Sequence, residues 1–378
     1  MPVIDSDQHL YETRSCWLDH VDPDARDDAL RIEDDDRGYS WITWRDQRLG
    51  TADVQVPGET TVLGERNRRR VAGERAEYSY DEALPAAYWD PAARRDQLGA
   101  MGIDGAVLFP NYGLLWERRL SVDLPALLAN MGAWNRWAGV VASEGAGSLF
   151  PVAHLTLRDL DWLDGQLRAL SAAGVRLAMI APAIVDGKPL SHPDLDRAWS
   201  SFAEHGVTPV FHVADQPRVF DDAWFTDDDM GGVKAIESVF LYLPAALALT
   251  DLIVNGTLDA HPELRFGVVE LSAIWVPQYL MMLDGAIEFT DKLRGRPVAP
   301  LSMRPSEYFR RQVRVSSFAY ELPGHLMRQS GDLFMACSDY PHSEGTDSML
   351  DDYAKSRCTP DEHPGLFAGN VELLSSSA

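Results

Sequence analysis

The stretch VIDSDQHLYE, residues 3–12, determines how the rest of the chain is interpreted. It opens on an apolar run, and we predict a β-strand over Val3–His9 that ends among polar residues. Side chains alternate along a strand, so Asp5, Asp7 and His9 are expected to share one face. That face carries two carboxylates and an imidazole, and such a set can chelate a metal ion.

Seven more apolar runs follow, each bounded by Gly, Pro or polar residues, and helical stretches lie between most of them. Most runs are continuous rather than alternating, which is typical of parallel strands covered on both faces. Alternation of strand and helix predicts a parallel α/β fold, and eight strands favour a closed barrel over an open sheet. We therefore predict a (β/α)₈ TIM barrel in a single domain, residues 1–378. The predicted strands are Val3–His9, Gly105–Pro110, Phe150–Leu157, Val175–Ala181, Pro209–Val213, Phe266–Leu271, Val313–Phe318 and Leu333–Ser338, and the predicted helices include Leu124–Ala142, Leu160–Ala173, Pro193–His205 and Trp275–Arg294.

The segment from Asp22 to Tyr88 interrupts this rhythm, because it is rich in charge and carries scattered aromatic residues such as Trp41 and Trp44. We interpret residues 22–88 as an insertion after the first strand. An insertion at the carboxyl end of a barrel strand rises from the catalytic face. The segment is therefore predicted to act as a lid over the active-site mouth.

Composition restricts the classes of partner. A formal net charge of -24 repels phosphate backbones and anionic lipids, so neither a nucleic-acid nor a membrane partner is expected. The longest apolar run, Val239–Val254, contains Pro244 and Asp251 and predicts a buried helix rather than a membrane span. Three cysteines are an odd and sparse set that suits a reducing cytoplasm. The expected partner is a small-molecule substrate in the cytoplasm, with a homo-oligomer left open.

Three further strand ends carry residues that bind metals. His212 lies where the fifth strand meets its loop, Glu270 is embedded in the sixth, and Asp339 and His342 follow the eighth. Each has a structural explanation when taken alone, as a packed histidine, a buried ion pair or a turn former. A closed barrel brings all these ends to one mouth, however, where their charges would repel one another unless a cation neutralised them. The sequence therefore predicts a metal site.

These motifs resemble the amidohydrolase superfamily. The resemblance rests on the strand-one motif, the strand-five histidine, the stretch Glu270–Pro277 and the sequence Ser-Asp-Tyr-Pro-His at residues 338–342. It is strongest to the amidohydrolase-related branch, which includes aminocarboxymuconate-semialdehyde decarboxylase and aromatic-acid decarboxylases. Weaker similarities extend it across most of the chain, at Tyr88–Pro91, Gly102–Gly105 and Asn135–Trp137.

The resemblance implies that His9, His212 and Asp339 are metal ligands. Asp7 stands in place of the first histidine of the family's His-x-His, and Glu270 stands where many relatives have a histidine. Strand four has no lysine of the kind that bridges two metals in binuclear relatives. Carboxylate-rich sites favour iron or manganese over zinc. With Glu12 as a further candidate ligand, this set would hold a divalent metal as one or two ions.

The activity implied by the resemblance is hydrolysis or non-oxidative decarboxylation of a small organic acid or acyl substrate. Asp339 would then act as general base, and His342 or Glu270 as proton donor. A non-haem (di)iron monooxygenase on the same scaffold is the alternative, favoured by the two carboxylate replacements and the missing lysine. A non-catalytic binding protein fits poorly, because converging carboxylates cost stability unless they are used. For His154, inside strand three, packing is at least as strongly expected as a functional role.

Overall fold

The computed structural model describes residues 1–113, 116–213, 219, 222–224, 235–298 and 300–375. Eleven strands form two sheets in these ranges: eight parallel strands make one sheet, and three antiparallel strands make a smaller one. Sixteen α-helices accompany them in the described chain. The strands are β1 (Ile4–Leu10), β2 (Arg31–Asp34), β3 (Ser40–Trp44), β4 (Gln47–Thr51), β5 (Gly105–Pro110), β6 (Leu149–His154), β7 (Leu177–Met179), β8 (Thr208–Phe211), β9 (Phe266–Val268), β10 (Val313–Ser317) and β11 (Phe334–Ala336).

The α-helices lie between the parallel strands and within the insertion. They are α1 (Cys16–His20), α2 (Thr60–Val71), α3 (Tyr80–Ala83), α4 (Pro91–Met101), α5 (Glu117–Leu120), α6 (Leu124–Glu144), α7 (Leu160–Ala172), α8 (Asp196–His205), α9 (Ala235–Val239), α10 (Leu243–Val254), α11 (Thr257–Ala260), α12 (Val276–Arg294), α13 (Pro305–Gln312), α14 (Pro323–Ser330), α15 (Met349–Lys355) and α16 (Asn370–Ser375).

The parallel strands run in the order β1-β5-β6-β7-β8-β9-β10-β11, and the two ends of this order meet. His9 N–H donates to Tyr340 O at 2.8 Å, and Asp339 N–H donates to Asp7 O at 2.9 Å. These bonds join the carboxyl end of β1 to the segment after β11. All eight predicted strands are present, with ends that differ by at most three residues, and the predicted (β/α)₈ barrel is confirmed.

Alternation along the strands divides the core into two layers. Val107, Val152 and Val210 belong to a cluster inside the barrel. Their neighbours Leu108 and Ala153 belong to the cluster between the barrel wall and the helices. Parallel strands buried on both faces have this arrangement, and it explains why their sequences are continuous apolar runs.

The insertion forms its own small sheet, β2-β3-β4, and packs against the barrel near the site-bearing strand ends. Its segment 53–55 is tied to that face by three contacts. Tyr112 hydroxyl donates to Asp53 O at 2.9 Å, Gln55 N–H donates to Tyr11 hydroxyl at 3.1 Å, and Ser343 N–H donates to Gln55 Oε1 at 2.8 Å. The insertion therefore lies where a lid would lie, and the lid function itself stays a prediction.

The segment Ile236–Val254 has the length and composition of a helix that could cross a membrane. In the structure, however, it is divided by a turn into α9 and α10. Helix α10 has 12 residues, which is about 18 Å, whereas a bilayer core is about 30 Å thick. Leu249, Leu252 and Ile253 are fully buried in the layer outside the barrel. The predicted buried helix is confirmed over α10.

Asp5 joins β1 to β11 and does not share the chelating face predicted for it. Its carboxylate accepts hydrogen bonds from Ser338 N–H at 3.0 Å, Ser338 hydroxyl at 2.5 Å and Gln8 Nε2 at 2.8 Å. The register of β1 against β5 shifts between Asp5 and Gln8, which breaks the strict alternation that the prediction assumed. Asp5 therefore closes the barrel, and Asp7 and His9 remain on the site.

Replacing Asp5 by alanine is expected to lower the free energy of unfolding by about 3–5 kcal/mol, because it leaves several fully buried donors without an acceptor. Urea denaturation measures the change. Asp251→Ala is the matched control: Asp251 accepts from Ser191 N–H and hydroxyl, each at 2.8 Å, but at a partly exposed position. We expect about 1 kcal/mol there. Equal losses in the two variants would contradict the closing role of Asp5.

Candidate metal centre

Six potential ligand side chains meet inside the barrel mouth. Asp7 and His9 lie on β1, and His212 directly follows β8. Glu270 follows β9, while Asp339 and His342 follow β11. Parallel strands in a barrel end at the same face, so residues far apart in sequence become neighbours there.

Asp7, His9, His212 and Glu270 form the first group of ligand atoms. His212 Nε2 lies 3.4 Å from Asp7 Oδ1 and 3.2 Å from Glu270 Oε2. His9 Nε2 lies 3.5 Å from Asp7 Oδ1. Neighbouring ligands at about 2.1 Å from an octahedral ion are about 3 Å apart, so these spacings are close to those around a single cation.

A second group overlaps the first. His9 Nε2 lies 3.4 Å from Asp339 Oδ1, and His342 Nδ1 lies 2.7 Å from the same oxygen. His9, Glu270, Asp339 and His342 place one ligand atom each within 4.8 Å of one another, as the first group does. The two groups share His9 and Glu270, and since one imidazole nitrogen binds only one ion at a time, two ions would be bound together only with His9 assigned to one of them.

Several polar atoms of these side chains are buried and have no hydrogen-bond partner in the described part of the chain. They are Asp7 Oδ2, His9 Nε2, Glu270 Oε2, both carboxylate oxygens of Asp339, and His342 Nδ1. Unsatisfied polar atoms inside a protein cost free energy, and a concentration of them at one point is explained by a missing partner. A divalent cation fits, because oxygen and imidazole nitrogen are its ligands.

The far nitrogen of each imidazole is oriented by a neighbouring group. His212 Nδ1 lies 2.9 Å from Val213 O, and His9 Nδ1 lies 3.4 Å from Pro110 O. His342 Nε2 lies 2.9 Å from Asn111 Oδ1. These contacts fix the rings so that the other nitrogen of each faces the ligand group. The sequence contained no signal for the role of Asn111, because it acts across 231 residues.

The pKa values of the ligand side chains show how strongly their buried charges interact. Burial raises the pKa of Asp339 and of Asp7, but nearby histidines outweigh it and hold both below their ordinary values. Burial and the charges of Asp339 and Asp7 raise the pKa of Glu270 well above its ordinary value. Burial lowers the pKa of His9, yet the nearby carboxylates of Asp339 and Asp7 raise it to about 9. The crowded carboxylates therefore demand positive charge.

The backbone is strained at two of the ligands. Glu270 has a φ of 55° and Asp339 a φ of 58°, in the left-handed region that non-glycine residues avoid. Glu270 N–H donates to Ser316 hydroxyl at 3.0 Å. Gly345 lies so close to the Asp339 carbonyl that a Cβ atom there would collide with it. Such strain is found where surrounding contacts hold a functional residue in place.

Glu12 is the predicted ligand that does not join the site. Its carboxylate accepts hydrogen bonds from the backbone N–H groups of Tyr112 and Gly113, all at 3.0 Å. Burial raises its pKa to about 7, against the opposing effect of these amides. Glu12 lies beyond the end of β1 at Leu10 and is held by the loop after β5. Glu12 therefore stabilises the loop after β5 at the barrel mouth. The six other predicted site residues come together.

No protein-family model matches the chain, and no curated protein matches it. Solved structures match its fold. An amidohydrolase from Mycobacterium avium subsp. paratuberculosis K-10 is 22% identical with a TM-score of 0.79, covering 99% of each chain. The 5-carboxyvanillate decarboxylase of Sphingomonas paucimobilis is 14% identical with a TM-score of 0.63, covering 100% of this chain and 99% of the other.

A 5-carboxyvanillate decarboxylase from Novosphingobium aromaticivorans DSM 12444 was solved with manganese and 4-hydroxy-3-methoxy-5-nitrobenzoic acid. It is 16% identical with a TM-score of 0.60, covering 85% of this chain and 94% of the other. At such identities the similarity establishes the fold. These three proteins are an amidohydrolase and two 5-carboxyvanillate decarboxylases, the kinds of enzyme that the strand-end motifs resemble.

The contrast between Glu12 and His212 yields a test of the ligand set. His212→Ala is expected to lower manganese occupancy at least tenfold, because it removes a nitrogen from the first ligand group. Glu12→Gln is expected to cost about 1–3 kcal/mol of stability, because its new N–H₂ group faces backbone N–H donors, while occupancy stays unchanged. Metal analysis after dialysis, together with urea denaturation, separates the two effects. Lower occupancy in a folded Glu12→Gln protein would restore Glu12 as a ligand.

Proposed function

We propose that this protein is a soluble metal-dependent enzyme of the amidohydrolase superfamily that releases carbon dioxide from a small aromatic acid without oxidation. The observation that carries the proposal is the convergence of six ligand side chains at the carboxyl face of the barrel, of which all but the partly buried Glu270 are buried and all but His212 carry unpartnered polar atoms. Decarboxylases of similar fold support the choice of reaction. Hydrolysis of an acyl substrate is the closely related option.

The ligand composition supports manganese or iron over zinc. Three carboxylates and three imidazoles form a harder donor set than the nitrogen- and sulfur-rich sites that zinc prefers. Asp7, His9, His212, Glu270 and Asp339 would hold the metal, with His342 as a further ligand at a second position. When bound, the ion would supply Lewis-acid chemistry by polarising the substrate carboxylate or carbonyl.

The protein's own groups would orient the acid and handle protons. Asp339 keeps a pKa below its ordinary value, despite its burial, through His342 and His9, so it stays ionised and suits a general base in hydrolysis. His342 is fixed by Asn111 and faces Asp339. The insertion would cover the bound substrate and exclude water, with segment 53–55 held over the mouth by Tyr11 and Tyr112.

A second candidate function, a non-haem diiron oxygenase, is favoured by one observation. Glu270 belongs to both ligand groups, and a carboxylate at that position would be able to bridge two ions, with the Nε2 atom of His9 bound to one of them. This function requires two irons per chain and molecular oxygen. It therefore differs from the first proposal in metal count and in its oxygen requirement.

The decisive measurement is carbon dioxide release by protein stripped of metal and reloaded with manganese. Under anaerobic conditions, we expect release from at least one member of a panel containing 5-carboxyvanillate, 2,6-dihydroxybenzoate and related hydroxybenzoates. Chelation should abolish the release and manganese should restore it. Asp339→Asn should lower kcat at least a hundredfold, because it removes both a ligand charge and a base.

Asp164→Asn is the matched control, because Asp164 also contacts a histidine, His205, at 3.2 Å but lies outside the barrel on α7. The Asp164→Asn variant should release carbon dioxide at the wild-type rate. Oxygen-dependent turnover with two irons per chain would favour the oxygenase. Absence of turnover on the whole panel with full metal loading would refute the decarboxylase proposal.

A further inference from the structure

The metal ligands occupy only part of the barrel mouth. They come from β1 and from the ends of β8, β9 and β11. In the described chain, β5, β6 and β7 contribute no residue to either ligand group. Since these three strands are adjacent in the barrel, they form a continuous side of the mouth opposite β9 and β10. We refer to the side made by β5, β6 and β7 as the open side.

His154 is placed on the open side and faces the barrel interior. On β6, Val152 belongs to the interior cluster and Ala153 to the outer layer, so alternation turns the His154 side chain inward. Two inter-strand steps separate β6 from β1 and also from β8, which is roughly 10 Å in each direction. His154 therefore lies on the interior face of the barrel, two strands away from His9 on one side and from His212 on the other.

The His154 ring packs against Trp116, with ring centroids 5.1 Å apart, and its two nitrogens differ in their partners. Its Nε2 lies 3.1 Å from Glu117 Oε2, while its Nδ1 is buried with no hydrogen-bond partner in the described chain. Asn135 fixes the strand at this point, because its Oδ1 accepts from His154 N–H at 2.8 Å and its Nδ2 donates to His154 O at 3.1 Å. One ring nitrogen is thus held by a carboxylate and the other is available.

Space is present beside this pair. Glu117 lines a cavity of about 50 Å³ at the ends of β6 and β7, together with Thr156, Arg158 and Ile180. The Glu117 side chain is 15% exposed, whereas that of His154 is 2% exposed. Glu117 is therefore reached from this cavity, whereas His154 lies behind it and is not part of the cavity lining.

We propose that His154 is the proton donor to the substrate and that Glu117 is the positioning residue that orients its ring. The inference rests on the proposed decarboxylation. His342 is a poor donor by comparison, since its Nδ1 belongs to a ligand group and its Nε2 contacts Asn111. A carboxylate on one nitrogen of a histidine, with the other nitrogen facing the reacting atom, is the arrangement that orients catalytic imidazoles.

The step is redox-neutral. The bond between the ring carbon and the carboxylate breaks, carbon dioxide leaves, and the electron pair left on carbon takes the Nδ1 proton of the His154 imidazolium. The neutral imidazole keeps its Nε2–H on the Glu117 carboxylate. Water that enters on product release returns a proton to Nδ1.

The kinetic test uses the manganese enzyme and the panel acid that it decarboxylates fastest. His154→Gln should lower kcat by roughly 10²–10⁴-fold, the usual contribution of a general acid, with KM and manganese occupancy unchanged. Glu117→Gln should lower kcat less, and Glu117→Asp should recover part of the loss. His205→Gln, in the His205–Asp164 pair outside the barrel, is the matched control and should keep full activity. Wild-type kcat in His154→Gln, or a loss explained by metal occupancy, would overturn the proposal.

A second measurement does not depend on turnover, so it separates this inference from the proposed function. Nitrogen NMR of the histidine rings in the zinc-loaded protein follows His154 during titration with benzoate, with His154→Gln used to assign its signals. The His154 ring signals should shift while those of His205 do not. Unchanged His154 signals at every benzoate concentration would overturn its placement at the substrate, even if the enzyme proves to be a decarboxylase.

Discussion

Three carboxylates that face one another inside a barrel are the constraint on which the rest of this structure depends. Asp7, Glu270 and Asp339 are buried or nearly so, and burial in a medium of low polarity makes their mutual repulsion severe. This repulsion is partly offset by His9, whose pKa is raised to about 9, and by the neighbouring His212 and His342. The polar atoms that remain without a partner show that these histidines are not sufficient. A cation at this point would complete the charge balance.

Holding such a group together requires a rigid surrounding, and the barrel supplies it at the junction of β1 and β11. The carboxylate of Asp5 binds Ser338, and the buried Arg94 donates to Gln8 Oε1 at 3.1 Å and to His9 O at 2.7 Å. Burial lowers the pKa of Arg94 to about 10, so the guanidinium remains charged at neutral pH. It thus adds positive potential beneath the carboxylates while fixing the backbone of a ligand. Closure of the fold and assembly of the site are accomplished by the same contacts.

Features that depend on residues close together in sequence could be predicted. Features that depend on contacts between residues far apart in sequence could not. The eight strands and the convergence of Asp7, His9, His212, Glu270 and Asp339 depend on local apolar runs and on the geometry common to all such barrels. Errors arose where a non-local contact decides the outcome. Asp5 left the chelating face because the β1 register shifts, and Glu12 is held by amides 100 residues away. The contact of His154 with Glu117, 37 residues away in another element, likewise left no signal in the sequence, and a role for His154 beyond packing stays a proposal.

Charged and apolar side chains lie on different sides of the barrel mouth, and this distribution bears on which substrates would fit. Ligands on β1, β8, β9 and β11 anchor charge on one side, and the adjacent wall is apolar: the Phe109 ring lies 4.2 Å from that of His212 and 6.0 Å from that of His9. A molecule that satisfies both features has an anionic group directed at the metal position and a flat apolar body resting against Phe109. An aromatic acid meets this description. A long flexible substrate would instead have to pass the insertion, whose segment 53–55 is fastened across the mouth by contacts to Tyr11, Tyr112 and Ser343. The same contacts that would exclude water therefore also favour small substrates.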